Sequence, residues 1–262
     1  MAEYEHVDVE RTDGVGRITL DRPEAKNALD EQMASDLRDA VVELVEDDAV
    51  RCVALTGSGG TFCTGADLSV MDGDESDAAR LEAIASRLHT AVRHLATAAK
   101  PTVSAVNGVA AGGGFGLALS ADLVLVAESA RMEFAYPRIG LSADGGSTYF
   151  LPRTVGHRKA REILLRDEPI DADEAVSLGL ATETVPDDDL DDHLRAETDR
   201  LAGGPTRAYA QTKALLEASH RRTLAAQLDE EQATIARLAG TDDWARGYEA
   251  FFGDDPADFR GT

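Results

Sequence analysis

The chain has 262 residues, 43% of them hydrophobic, which is enough for one large domain, or a domain with an appendage, around a substantial core. It carries 49 acidic against 26 basic residues, a formal net charge of −23 that excludes nucleic acid as an expected partner, because phosphate binding needs a cationic face. No stretch reaches the roughly 18 to 20 apolar residues of a membrane span, and "MAEYEHVDVERTDG" lacks the basic-then-apolar pattern of a signal peptide, so the expectation is a cytoplasmic protein with no membrane partner.

Acidic runs such as "DGDESDAAR" and "VPDDDLDDHLRAETD" read as solvated faces. Their mutual repulsion strains the compact state unless salt screens it, which suggests a high-salt cytoplasm. Cys52 and Cys63 form no CxxC pair and read as buried apolar side chains. The six histidines show no metal-ligand spacing, so no metal site is expected.

In chain order, alternating residues on both sides of Asp13-Gly14 read as a hairpin. "LDEQMASDLRDAVVELVEDD" has helical spacing at Met33, Leu37, Val41 and Leu44, with Asp30 as candidate cap. "RCVALTG" reads as a buried strand, "SGGTFCTGADL" as a loop, and "DAARLEAIASRLHTAVRHLATAA" as a helix ending before Pro101. "PTVSAVNG" predicts another buried strand leading into "GVAAGGGFG", a short helix and the strand "DLVLVAES". Strands alternating with helices predict an α/β core. From about Leu190 onward the pattern is helical only, with a break at "AGGPTRAYA". A tail of this kind needs the core or another subunit to cover its apolar faces.

Two glycine loops, 62–68 and 108–116, each follow a strand and precede a helix. Exposed backbone N–H groups at such corners suit an anion or a polarised carbonyl, and glycine lets a ligand oxygen reach donors that a β-carbon would block. The phosphate-loop lysine, the dinucleotide fingerprint and a GxSxG elbow are all absent, which sets aside nucleotide binding of those kinds and serine hydrolysis.

"RPEAKNALD", "FCTGADL", "KPTVSAVNGVAAGGGFGLALSADLVLVAE" and "GLSADGGSTYFLPRTVG", in this order over about residues 5 to 253, resemble the enoyl-CoA hydratase/isomerase (crotonase) family. The resemblance implies a spiral of ββα units over residues 1–200 and a C-terminal helical region over 201–262 that builds trimers or hexamers. It implies acyl-CoA substrates, with coenzyme A as part of the substrate and no separate cofactor. It also implies an oxyanion hole of two backbone N–H groups, which map to Ala66 and the middle glycine, Gly113, with Gly112 beside it. The coenzyme is expected along Arg22, Ala25 and Lys26 and along Asp67 and Leu68. Phe252 and its aromatic neighbours are expected at the acyl or coenzyme pocket, in some relatives across the subunit boundary. Where many relatives have "EKR", this chain has Gly253, Asp254 and Asp255, so a phosphate contact is expected to be lost or moved to Arg260.

The reaction turns on which acid or base faces the substrate. Hydratases resemble "GGGCEL" and a later "PE"; here Gly116 and Arg138 stand at the two glutamate positions. Asp144 stands where isomerase-like relatives carry the carboxylate that shuttles a proton, and one such group suffices to move a proton between two carbons. Its alternative role is to cap the helix that starts near Ser147. Arg138 is either structural or a partner that keeps Asp144 ionised. Tyr136 stands where thioester dehalogenases, which use an aspartate at the position of Asp144, have tryptophan. The expectation is an enoyl-CoA or related ring isomerase. The alternatives are a hydratase with a relocated carboxylate, for which Glu133 is the nearest candidate, and a non-catalytic coenzyme-binding or scaffold protein.

Overall fold

The computed structural model describes residues 4–262. The predicted hairpin is β1 (Val7–Thr12) and β2 (Val15–Leu20), paired antiparallel across Asp13-Gly14. Helix α1 (Glu31–Glu46) begins at Asp30, whose carboxylate accepts the Met33 N–H at 2.8 Å, and it buries Met33, Leu37, Val41 and Leu44. Strand β3 (Cys52–Gly57) is followed by a short β4 (Thr61–Cys63) inside the segment expected to be loop. Helix α2 (Asp77–Thr97) precedes β5 (Thr102–Val106), β6 (Val109–Ala111) and α3 (Gly113–Ala118). Then come β7 (Leu123–Ala127), β8 (Arg131–Glu133), α4 (Ser147–Arg166), β9 (Ile170–Asp171), α5 (Ala172–Ser177) and β10 (Glu183–Val185). Helix α4 bends at Gly156, whose φ of +76° leaves the helical region.

The strands form two sheets. The larger runs β1-β2-β3-β5-β7-β10, parallel after the hairpin, and the smaller runs β4-β6-β8-β9. In the larger sheet the inner strands are apolar without alternation, as burial on both faces requires. The smaller sheet escapes a periodicity reading because its strands have two or three residues each. Its β4 and β6 are parallel neighbours, so the loops that leave them, 64–68 and 112–113, emerge side by side. This parallel pairing places the two glycine segments against one another.

The helical tail comprises α6 (Leu190–Ala202), α7 (Thr206–Ser219), α8 (Leu224–Leu238) and α9 (Asp242–Phe252). Leu190, Leu194, Leu201 and Ala202 of α6 join the main core, a turn follows at Gly203-Gly204-Pro205, and Tyr209 of α7 still packs against that core. Beyond that turn the apolar faces are open: Trp244, Tyr248, Phe251 and Phe252 are exposed, Phe251 by 81%. Cys52 and Cys63 are both buried, and burial pushes both thiols up to about 12. Among the described residues no helix is long and apolar enough to cross a membrane.

Candidate active site

Leu29 organises the first half of the site. It forms an isolated parallel bridge with Ala66: its N–H donates to the Gly65 carbonyl at 2.7 Å, and its carbonyl accepts from Asp67 N–H at 2.9 Å. The amides and carbonyls on either side of Ala66 are thereby occupied, while the Ala66 N–H is left over. In the second half, Gly112 N–H donates to the Glu133 carbonyl at 3.1 Å and α3 starts at Gly113, whose amide has no intrahelical acceptor. Neither the Ala66 nor the Gly113 amide donates to another group among the described residues.

Both amides border one cavity of about 440 Å³. The two loops that carry them touch: a methyl on Gly65, which has φ +83°, would lie 3.1 Å from Gly113 N. The expected oxyanion pair therefore converges on a single corner. Its geometry can supply two converging main-chain donors to a carbonyl oxygen that gains charge.

The same cavity is bordered by Leu68, Gly112, Tyr136, Arg138 and Asp144, and by a face of α2 that includes Leu81, Glu82, Ala85 and Leu88. Asp144 enters on the turn before α4. Its carbonyl, not its carboxylate, accepts the Ser147 N–H (3.2 Å) and hydroxyl (2.8 Å), so its side chain is not a helix cap and is free for other work. That carboxylate pairs with His89 Nε2 of α2. Sequence reading missed His89. The available signal was its position four residues after Ala85 and seven after Glu82, on the face of α2 that borders the cavity.

The position where hydratases resemble one another in having a first glutamate is sterically closed. A β-carbon on Gly116 would meet the Gly145 carbonyl oxygen at 2.0 Å. The backbone of the turn that presents Asp144 thus occupies the space a side chain at residue 116 would need.

Arg138 does not pair with Asp144. Its guanidinium reaches Glu133 Oε2 and Asp167 Oδ2, the latter at 2.7 Å, and Glu133 also takes Arg131 at 2.6 Å. Of the two roles weighed for Arg138, this pairing is the structural one. Burial works against ionisation of Glu133, but the two arginines outweigh it and hold its pKa below the ordinary value. Glu133 is buried and is not part of the cavity wall, which removes it as the candidate relocated base.

Other expected substrate contacts lie behind or away from the corner. Arg22 donates to Asp67 at 2.7 Å and to the Ala28 carbonyl at 3.1 Å, and it also pairs with Asp30 at 3.3 Å. Asp67 further accepts Ser69 N–H and hydroxyl; burial opposes its charge, and Ser69 and Arg22 outweigh burial to lower its pKa. Arg22 and Asp67 thus tie the 22–30 and 65–69 segments together. Ala25 ends a short turn, Pro23–Ala25, outside the cavity wall. Lys26 is exposed, makes no ion pair among the described residues, and its carbonyl accepts Thr64 Oγ1 at 3.2 Å, beside the cavity rim. Phe252 lies instead on a second, apolar cavity of about 700 Å³ formed by α7, α8, α9 and the C-terminal segment, so within one chain it does not reach the site. Arg260 pairs with Asp258 at 2.7 Å.

Residues 10–262 match the model of the enoyl-CoA hydratase/isomerase family. The chain is 39% identical over 259 residues to a probable enoyl-CoA hydratase of Rhodobacter capsulatus, covering 98% of this chain and 99% of that one. It is 36% identical over 251 residues to the 1,2-epoxyphenylacetyl-CoA isomerase of Escherichia coli, with 95% of each chain covered. A solved structure from Streptomyces coelicolor A3(2), assigned as an enoyl-CoA hydratase, superposes with a TM-score of 0.93 at 38% identity, over 100% of this chain and 96% of that one. The two sheets, the C-terminal helices and the paired glycine corners are those of the α/β crotonase spiral, and this chain belongs to the enoyl-CoA hydratase/isomerase family.

Proposed function

We propose that the protein is an acyl-CoA isomerase in which Asp144 shuttles a proton across a thioester enolate. The observation that carries this reading is the exchange at Gly116: the hydratase glutamate is absent, and the Gly145 backbone fills its space while holding Asp144 in the cavity wall. The thioester oxygen accepts the Ala66 and Gly113 N–H groups. Asp144 takes a proton from C2 of a 3-enoyl thioester, and the electron pair spreads into the dienolate. The proton returns from Asp144 to C4, leaving the double bond between C2 and C3. Proton transfer of this kind contributes about 10²–10⁴-fold, and a single backbone donor on the order of 2.7–4 kcal/mol in a comparable oxyanion hole. His89, paired with that carboxylate, fixes its orientation. Lys26, beside the rim, is the cation that meets the coenzyme phosphates.

A second reading rests on Glu82, the other carboxylate bordering the cavity, which with Asp144 would give the acid and base of a hydratase. Assays of 2-enoyl, 3-enoyl and aromatic acyl-CoA thioesters in molar KCl separate the two. The isomerase reading expects turnover of a 3-enoyl or ring substrate and little hydration of any 2-enoyl thioester. Brisk hydration that Glu82→Gln abolishes would replace it with the hydratase.

A further inference from the structure

Tyr136 has a polar atom that the proposed proton shuttle does not use. The residue is about nine-tenths buried and borders the cavity beside Gly112, where a β-carbon on that glycine would lie 3.9 Å from Tyr136 Cζ. The ring is held on several sides. It packs on Phe134 with centroids 5.0 Å apart, and the Tyr136 carbonyl accepts Leu141 N–H at 3.1 Å. The preceding Ala135 sits in the left-handed region at φ +63°, with its N–H bound to Asp167 Oδ1 at 2.7 Å, and Asp167 in turn takes Arg138. A strained residue kept by such ties marks an aimed side chain.

The neighbour of the phenol oxygen is the Asp144 backbone N–H, which is itself a donor. The Tyr136 O–H donates to no group among the described residues, and its oxygen is not one of the polar atoms sealed away without a partner, so it stays open to a ligand in the cavity. Burial, and then the nearby Asp144 charge, push the phenol pKa upward, so the group remains a donor at working pH. The cavity wall is largely apolar, with Leu81, Ile84, Leu88 and Ile139 among its members, and Tyr136 is its one aromatic hydroxyl, beside the polar side chains of Thr64, Glu82, Arg138, Ser142 and Asp144.

We infer that Tyr136 is a specificity-determining residue that selects acyl groups carrying an oxygen acceptor, an ether, epoxide or carbonyl, on the carbon skeleton next to Asp144. Plain hydrocarbon acyl chains leave its O–H unpaired and bind less well. The inference rests on the acyl-CoA reading of this cavity and names the substrate class within it.

The test is equilibrium binding of unreactive probes to the intact protein: the three ring isomers of methoxyphenylacetyl-CoA, each compared with its ethyl isostere. The ether oxygen accepts but cannot donate, so it isolates the Tyr136 O–H from Asp144. At least one methoxy isomer should bind about tenfold tighter than its isostere, the ratio that one net hydrogen bond gives. Tyr136→Phe should erase that ratio while leaving ethyl-probe affinity within about twofold. Equal affinities for every pair in wild type, or a preference that survives Tyr136→Phe, would overturn the inference. Loss of isomerase activity on all substrates with the methoxy preference intact would instead remove the isomerase reading alone.

Discussion

Asp144→Asn separates catalysis from folding at the residue on which the isomerase reading depends. The substitution keeps the backbone carbonyl that receives the Ser147 N–H and hydroxyl, so the start of α4 is untouched. What is lost from the folded state is the pair with His89, whose partners have side chains 54% and 33% exposed. A polar pair so open to solvent is worth at most about 1 kcal/mol, which corresponds to about 2–4 °C in melting temperature for a chain of this size. The catalytic loss should be far larger, because the amide cannot take a proton from C2. We expect isomerisation of a 3-enoyl-CoA to fall by at least about 10²-fold in kcat/KM. The assay follows conjugation of the 2-enoyl thioester by ultraviolet absorbance, with melting measured on the same preparation. A variant that isomerises within a few-fold of wild type would refute the proton-shuttle assignment. A variant that loses activity together with more than about 10 °C of melting temperature would refute the claim that Asp144 is dispensable for the fold.

Gly116→Glu, which writes the hydratase residue into this chain, should not create a hydratase: its β-carbon overlaps the Gly145 oxygen, so the turn carrying Asp144 must move. Loss of isomerisation with no gain in 2-enoyl hydration is expected, and hydration gained with isomerisation intact would contradict the steric argument. The exposed aromatic face of α9 should be covered by other copies of the chain, so sedimentation should give a trimer or a multiple of it, and Phe251→Asp should give smaller species; a well-behaved wild-type monomer at micromolar concentration would refute this. Asp243 ties the C-terminal segment by accepting Arg260 N–H and Gly261 N–H, both at 2.8 Å, and by pairing with Arg246. Burial opposes its charge, but these donors outweigh burial and hold its pKa below 3.8. A depressed pKa contributes stability that is full above the unfolded value and is lost as pH falls through the folded one. Asp243→Asn should therefore melt below wild type at pH 7, and the gap should close below about pH 3.8; a gap that widens on acidification would reverse the sign of this linkage.

Much of the fold was legible because the signals are local. The Asp13-Gly14 turn, the Asp30 cap and the apolar spacing of α1 each act within a few residues, and the unbroken apolar strands declare burial on both faces. The four motifs in order, three of them glycine-bearing, pointed to the family, and the resemblance mapped the expected roles onto Ala66, Gly113 and Asp144. Other features required the tertiary structure, because they depend on pairings between distant segments. Strands of two or three residues have too few positions for a period, so the smaller sheet that presses the two glycine corners together has no signature in the sequence. Charge partners are likewise chosen by proximity: Arg22 closes on Asp67, 45 residues away, and Arg138 on Asp167, 29 away. His89 reaches Asp144 across 55 residues only because α2 packs beside the turn before α4. A sequence determines which side chains and backbone conformations are available. Which donors remain unpaired at one corner is decided by long-range packing, since burial drives most polar groups to find partners that lie far away in the chain.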